Sequence, residues 1–303
     1  MKQSKNFRLL MGMALGLICI SNAAKSAEAR SYDDVLKYMQ TIVAEHPLDS
    51  ALFDLGKNDD GTMIQGIKIG DGDVHTLVVA THHGNEYGST EVAKAVAKEI
   101  AANPIKDLTV YVVPVLNIGG YNKGRRWEVV GGRYFDPNRD YPGPCGTEGP
   151  FNLKSTAALA EFIVSENIVT SATLHTYYPV VAWPWGLSSN DLTTHYDDIW
   201  AELAKTAAEY SEYPVGNSTE MIYAADGTFE DYAFWKQGIW SLLFELGYSH
   251  SPSQTEINKM IETNVPGIRN FLAKAPQERA EKHEFEGQCA TDKSGFALDR
   301  HDE

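Results

Sequence analysis

Positive charge is what this chain has least of. Lys and Arg number 26 against 41 Asp and Glu, for a formal net charge of -15 at pH 7. Nucleic acid and anionic membrane surfaces both call for a basic face, so neither is expected as a partner. Small molecules, peptides and cationic substrates remain. Long apolar runs are also missing: residues 9–20 are apolar but too few to span a bilayer comfortably. Cysteine is scarce, with Cys19, Cys145 and Cys289 the only three. No internal repeat is visible.

What the chain does have begins with an address. Lys2, Lys5 and Arg8 precede the apolar run, and Ser21-Asn22-Ala23 and Ala27-Glu28-Ala29 offer small-residue cleavage sites. This pattern predicts a secretory signal over residues 1–29, with a short membrane anchor as the alternative. Cys19 has no small residue immediately before it, which argues against lipidation. The expected location is secreted or periplasmic, and removal of the signal leaves a still more acidic chain. Export favours a disulfide between Cys145 and Cys289 over two buried thiols. Closing so long a loop stabilises by roughly 4–5 kcal/mol on the chain-entropy account.

The 303 residues and a 43% hydrophobic share suit one large α/β domain or two small ones. Residues 31–47 carry Tyr32, Val35, Leu36, Met39, Ile42 and Val43 at helical spacing, with Ser31 and Asp34 resembling a capping box. Residues 52–56 and 61–70 alternate and carry Gly and Asp punctuation, as edge strands do. Strands are expected at 76–80, 108–116, 168–174 and 238–244, and helices at 89–100, 153–166, 191–210 and around Ile257 to Leu272, with a kink at Pro266. Residues 119–150 are long, polar and rich in glycine, with Arg125, Arg126, Arg133 and Arg139 among them; so long a stretch without periodicity is usually functional. Strands alternating with helices predict a sheet that is largely parallel in its middle. The domain is expected over 30–276, followed by a loose acidic tail, 277–303, pinned at Cys289.

Polar residues follow directly on the predicted strands: His83 and Glu86, Asn117, His175 and Glu245. In open α/β sheets, sites form at the carboxyl ends of strands. His83 and Glu86 are three apart, so a strand end turning into a helix can aim both at one point. With His175 they make two imidazoles and a carboxylate, the zinc set of thermolysin and carboxypeptidase A, with one position left for water. Zinc brings the pKa of that water to roughly 7. Glu245, in the apolar setting Phe244-Glu245-Leu246, suits a general base, the alternative being a structural ion pair. Arg139 suits a bidentate hold on a carboxylate, the alternative being a surface arginine paired with Asp136 or Asp140.

These motifs, in this order, resemble the zinc metallocarboxypeptidases, the carboxypeptidase A-like (M14-type) peptidases. The resemblance runs from about Ser31 to about Lys274. His83-Gly84-Asn85-Glu86 is similar to the first ligand pair, and Leu174-His175-Thr176-Tyr177 with Trp183-Pro184-Trp185-Gly186 to the third-ligand stretch. Asp136-Pro137-Asn138-Arg139 resembles the Asn-Arg pair that holds a substrate's terminal carboxylate. Tyr223, then Gly227-Thr228-Phe229-Glu230-Asp231-Tyr232 and Phe244-Glu245-Leu246, is similar to the block that ends in the catalytic glutamate. The resemblance implies a single domain: a central mixed, mostly parallel, twisted sheet of about eight strands flanked by helices. It implies one Zn2+ per chain on His83, Glu86 and His175, with Glu245 as base and Tyr223 as a mobile tyrosine closing over a peptide substrate.

The family's carbonyl-polarising arginine lies upstream of its Asn-Arg pair. Arg126 is the first choice here, Arg133 the second, and Arg125 also competes. His82 adjoins His83 but does not keep the ligand spacing. No large activation domain is expected before the catalytic domain. Glu230 falls where relatives set side-chain preference, so a cationic C-terminal Lys or Arg is expected, with the protein a monomer. The alternatives are a cell-wall carboxypeptidase or amidase acting on a diamino acid, an N-acyl amino acid deacylase, and a zinc-free binding protein on the same scaffold.

Overall fold

Alternating apolar strands and amphipathic helices need a shared core, and the described residues from Ser31 onward build one as a single unit. The computed structural model describes residues 30–145 and 151–290; the expected signal segment and the end of the tail, 291–303, lie outside them. Helix α1 (Tyr32–Glu45) starts where Ser31 Oγ accepts from the Asp34 amide, and buries Tyr32, Val35, Met39 and Ile42. The Asp34 carboxylate takes the Ser31 hydroxyl at 2.7 Å, so the cap is not the reciprocal box. Strands β1 (Ser50–Lys57), β2 (Met63–Ile69) and β3 (Val74–Ala80) follow, then α2 (Tyr87–Ala102) and β4 (Leu108–Val113).

The stretch expected to lack structure contains short elements: α3 (Ile118–Lys123), the hairpin β5 (Glu128–Val130) and β6 (Arg133–Phe135), and a single 3-10 turn, Pro137–Arg139. Elements this short show no period in a sequence. The chain continues through α4 (Lys154–Ser165), β7 (Thr170–His175), β8 (Val180–Trp183), α5 (Asp197–Ala207), β9 (Val215–Asn217), α6 (Ser218–Met221), α7 (Phe229–Gln237), β10 (Trp240–Glu245) and α8 (Gln254–Lys274). The helix expected from residue 191 begins six residues late, at Asp197. Asp191 and Asp197 instead accept from the amides of Thr193 and Thr194, and these local turns compete with the helix. Helix α8 opens on a capping box, Ser253 with Glu256, and runs on past Pro266.

The main sheet has eight strands in the order β1-β2-β4-β3-β7-β10-β8-β9. Its middle, β4-β3-β7-β10, is parallel throughout. Antiparallel pairs β1·β2, β2·β4 and β10·β8 make it mixed. Strand β2 is interior, paired on both sides, so only β1 of the two expected edge strands lies at an edge. Helices flank the sheet, and β4 and β7 are buried at every residue, Thr170, Ser171 and Thr173 of β7 included.

Beyond Pro276, residues 277–290 lie along the domain at several points rather than at Cys289 alone. Arg279 donates to the carbonyls of Ile163 and Ile168, the Ala280 amide to Gly238, and Phe285 packs edge-on against Trp185. Cys289 is disulfide-bonded to Cys145 with the Cα atoms 5.3 Å apart. The same segment bridges to Ser189 and donates from Ala290 to Ser188. It therefore ties the 140–145 and 186–190 loops together. Among the described residues, no helix is long and apolar enough to cross a membrane.

Glu128 shows what the packing costs. Burial, with Asp59 and Asp60 adding to it, pushes its carboxyl up to about 7 despite a 2.8 Å bond from Ser155 Oγ. The folded chain thus keeps a proton that the unfolded chain, at 4.5, releases. This stability is complete below the unfolded pKa and is lost as pH rises through the folded one. Glu128→Gln is expected to exceed wild type by up to about 3 kcal/mol near pH ~8 and to match it near pH ~4. Urea unfolding at the two pH values checks this; a difference that does not change with pH would contradict it.

Candidate active site

Three adjacent parallel strands, β3, β7 and β10, deliver the central groups at their carboxyl ends. His175 and Glu245 are the last residues of β7 and β10 and sit opposite each other in register. After β3 the chain breaks at Thr81, whose φ of 62 is unusual for a β-branched residue. Thr81 Oγ1 is held by Thr90 Oγ1 at 2.6 Å and the Pro114 carbonyl at 3.0 Å. Gly84 must be glycine, since a Cβ there would lie 2.1 Å from the Gly120 carbonyl carbon. Asn117 serves the scaffold: it caps α3 through the Gly120 amide and donates to the carbonyls of His82 and Arg126.

Glu86 is the residue before α2, a position where a side chain commonly caps the helix, yet it makes no such bond. Its carboxylate turns to other partners: His83 Nδ1 at 2.6 Å, His175 Nδ1 at 3.0 Å and the Thr176 amide at 3.1 Å. The two Nδ1 atoms are 3.3 Å apart. All three side chains are buried, and their ligand atoms lie within 4.8 Å of one another. His83 Nε2 faces Asp136 Oδ1 at 3.0 Å. A proton on Nε2 leaves the Nδ1 lone pair pointing into the cluster, as a metal ligand requires. Two imidazole lone pairs and a carboxylate crowded together out of water fit a zinc ion, the donor set of a catalytic site. His82 is not part of this cluster.

Electrostatics follow the same geometry. Burial opposes ionisation of Glu86, but His83 and His175 outweigh it and hold the carboxyl well below its ordinary range. Burial and Arg126 oppose protonation of His83, while Glu86 and Asp136 raise its pKa overall. Arg126 donates to Asp136 Oδ2 through Nε at 3.2 Å and Nη2 at 2.8 Å, and Nη1 lies 3.4 Å from His83 Nδ1. Of the three competing arginines it is the one beside the cluster. Arg125 lines a separate cleft with Asp59 and Glu128, and Arg133 is exposed over Phe135. Glu245 Oε2 is buried without a partner. Burial first, then Glu86, push the Glu245 carboxyl well above its usual range, against Arg126 and Arg139. For His82, burial and then His175 and His83 hold the ring uncharged.

A cleft opens from the cluster, lined by Arg139, Tyr223, Thr228, Glu230 and Glu245. Arg139 pairs with neither Asp136 nor Asp140. Asp136 is engaged by His83 and Arg126, and Asp140 by the amides of Asn152 and Leu153 and by Thr156. Arg139 Nη1 instead donates to the Asn138 carbonyl at 2.6 Å and Nη2 to the Tyr223 hydroxyl at 3.0 Å. Asn138 Oδ1 accepts from the Phe229 amide at 2.9 Å, tying this turn to the start of α7. Glu230 is 2% exposed, and its Oε2 has no partner. Sequence reasoning read Asp136 only as a possible partner for Arg139. Its contact with His83, fifty-three positions away, has no local signature.

A buried His2Glu cluster at strand ends, with an unpartnered glutamate and an arginine facing one cleft, defines a metallohydrolase. The zinc carboxypeptidase family model matches residues 35–267, and the chain belongs to that family, the M14 zinc metallopeptidases. It is 25% identical over 251 residues to carboxypeptidase B of Astacus astacus, covering 69% of this chain and 82% of that one. With carboxypeptidase O of Bos taurus it shares 30% over 207 residues, 55% of this chain and 54% of the relative, so it spans about half of that protein. The fold matches bovine thrombin-activatable fibrinolysis inhibitor, solved with a tick carboxypeptidase inhibitor, at a TM-score of 0.72. That match has 16% identity and covers 80% of this chain and 96% of that one.

Removing Asp136 tests the arrangement around the metal. Asp136→Ala is expected to weaken zinc binding by about 10- to 100-fold, as loss of a ligand's orienting partner does. His175→Ala should weaken it further. Competition against a chromophoric chelator measures both, and wild-type affinity in Asp136→Ala would contradict the assignment.

Proposed function

We propose that this protein is an exported, monomeric carboxypeptidase that binds one zinc ion through His83, Glu86 and His175. It removes the last residue of a peptide with a free C-terminal carboxylate, without nucleic acid or a stable membrane anchor. The observation that carries this reading is the shared cleft: His83, His175, Asn138, Arg139 and Glu245 all line it. Zinc, when bound, supplies Lewis acidity and lowers the pKa of a coordinated water.

The chain's own groups supply the rest. Arg139 and Asn138 hold the terminal carboxylate, and Tyr223 covers it. Arg126, fixed by Asp136, donates to the scissile carbonyl oxygen as negative charge develops there. Glu245 takes a proton from the attacking water and gives it to the departing amine, so the C–N bond breaks as the C–O bond forms. The environment that raises its pKa favours this cycling between protonated and ionised forms. Glu230, buried with a free oxygen in the cleft, receives a cationic side chain, Lys or Arg. The same carboxylate suits the ammonium of a cell-wall diamino acid, which is the second reading.

Peptides ending in Lys, Arg, diaminopimelate and Phe, assayed with and without a chelator, test the substrate. A Lys or Arg end is expected to exceed Phe by about 10- to 100-fold in kcat/KM, the worth of one charged hydrogen bond. Equal turnover of Lys and Phe would remove the role of Glu230. Glu245→Gln is expected to keep its zinc and lose about 100-fold or more in kcat. Retained turnover would move the base elsewhere.

A further inference from the structure

His82 is a buried polar residue with no part in the chemistry above. Its side chain is fully enclosed, and so is that of Tyr141, both at 0% exposure. His82 Nε2 meets the Tyr141 hydroxyl at 3.0 Å, while Nδ1 is buried without a partner. An apolar side chain would fill this place without stranding a nitrogen, since an unpaired buried polar group is costly. The imidazole therefore has a use besides packing.

Its surroundings indicate that use. His82 directly precedes ligand His83, and Tyr141 stands two residues after Arg139. The His82 ring is stacked on ligand His175 at 5.5 Å and 23°, and lies 5.7 Å from Phe229 on its tilted side. The Tyr141 ring is wedged edge-on against Phe151 and Phe229, at 5.7 Å and 5.4 Å. The Tyr141 amide donates to the Gly227 carbonyl. The hydroxyl is thus held from several sides, and the bond to His82 spans from the metal loop to the segment carrying Asn138 and Arg139.

We infer that His82 and Tyr141 are a positioning pair that fixes the spacing between the metal cluster and the Asn138–Arg139 clamp, with His82 also bracing the ring of His175. The inference rests on the reading of Asn138 and Arg139 as the hold on a terminal carboxylate. If the clamp is seated at the wrong distance it still binds, but it presents the scissile carbonyl out of line. Misplacement by about 1 Å costs as much as 100-fold in rate. A spacing device therefore acts on kcat, whereas the clamp itself acts on KM.

Tyr141→Phe removes the bond and keeps the ring. It is expected to lower kcat about tenfold while KM and zinc affinity stay within about twofold of wild type. His82→Leu should show the same kcat loss together with about tenfold weaker zinc binding, read by chelator competition, because the His175 brace is gone. His82→Gln, whose amide nitrogen reaches toward the Tyr141 hydroxyl, should recover kcat but not zinc affinity. Urea midpoints taken in parallel separate these effects from simple loss of stability. Wild-type kcat in folded Tyr141→Phe would reduce the pair to packing. A raised KM with wild-type kcat would place it in the clamp, and either result overturns the inference. If His82→Leu does not fold, Tyr141→Phe and His82→Gln carry the test. If wild type itself releases no C-terminal residue, the functional reading fails first, and the zinc-affinity arm still tests the brace.

Discussion

The Glu86 carboxylate lies between the Nδ1 atoms of His83 and His175, at 2.6 Å and 3.0 Å, wholly out of water. Every other placement around the site answers to this contact. A buried carboxylate must be compensated, and a cation shared by Glu86, His83 and His175 would complete that compensation. Metal binding and native packing at these strand ends therefore favour each other. The compensation extends outward: His83 leans on Asp136, Asp136 on Arg126, and the Asp136 turn carries Asn138 into contact with the start of α7. The loop carrying His83 and Glu86 and the turn carrying Asn138 and Arg139 are one connected network.

That network divides the cleft by charge. The protein is strongly acidic, yet Arg139 lines the cleft and Arg126 lies against His83 beside it. Glu230 and Glu245 also line it. A peptide end carries a carboxylate, a carbonyl that becomes an oxyanion and an amide nitrogen that becomes an amine. On the proposed reading, cations would meet the first two and a carboxylate the third, which would fix the direction in which a chain can lie. Burial, and then the charge on Glu86, keep Glu245 protonated more readily than Glu86, whose carboxyl His83 and His175 hold ionised.

The centre of the fold was legible because its strands carry no Asp, Glu, Lys or Arg before the polar residues at which they stop. The run 76–80 ending at Thr81-His82-His83 is the clearest case, and β7 and β10 end the same way at His175 and Glu245. Ligand spacing could be read because His83 and Glu86 lie on one local turn. The hairpin β5–β6 and strands β8 and β9 were not legible: three or four residues carry no period. Strand β2 passed for an edge because its alternation resembles one, although both its sides are paired. The start of α5 was lost to aspartate side chains that prefer local amides. Contacts between distant positions, such as Asp136 with His83 or His82 with Tyr141, depend on the finished fold and leave no mark in the order of residues. Glu230 drew notice only through its place in a family motif.

The segment after α8 has a temporal consequence. Cys289 pairs with Cys145, and its neighbours clasp the 186–190 loop, whose Gly186 lines the cleft. During synthesis His83, Glu86 and His175 leave the ribosome well before this clasp exists. The 186–190 wall of the cleft can be fastened to this segment only after residue 289 has emerged.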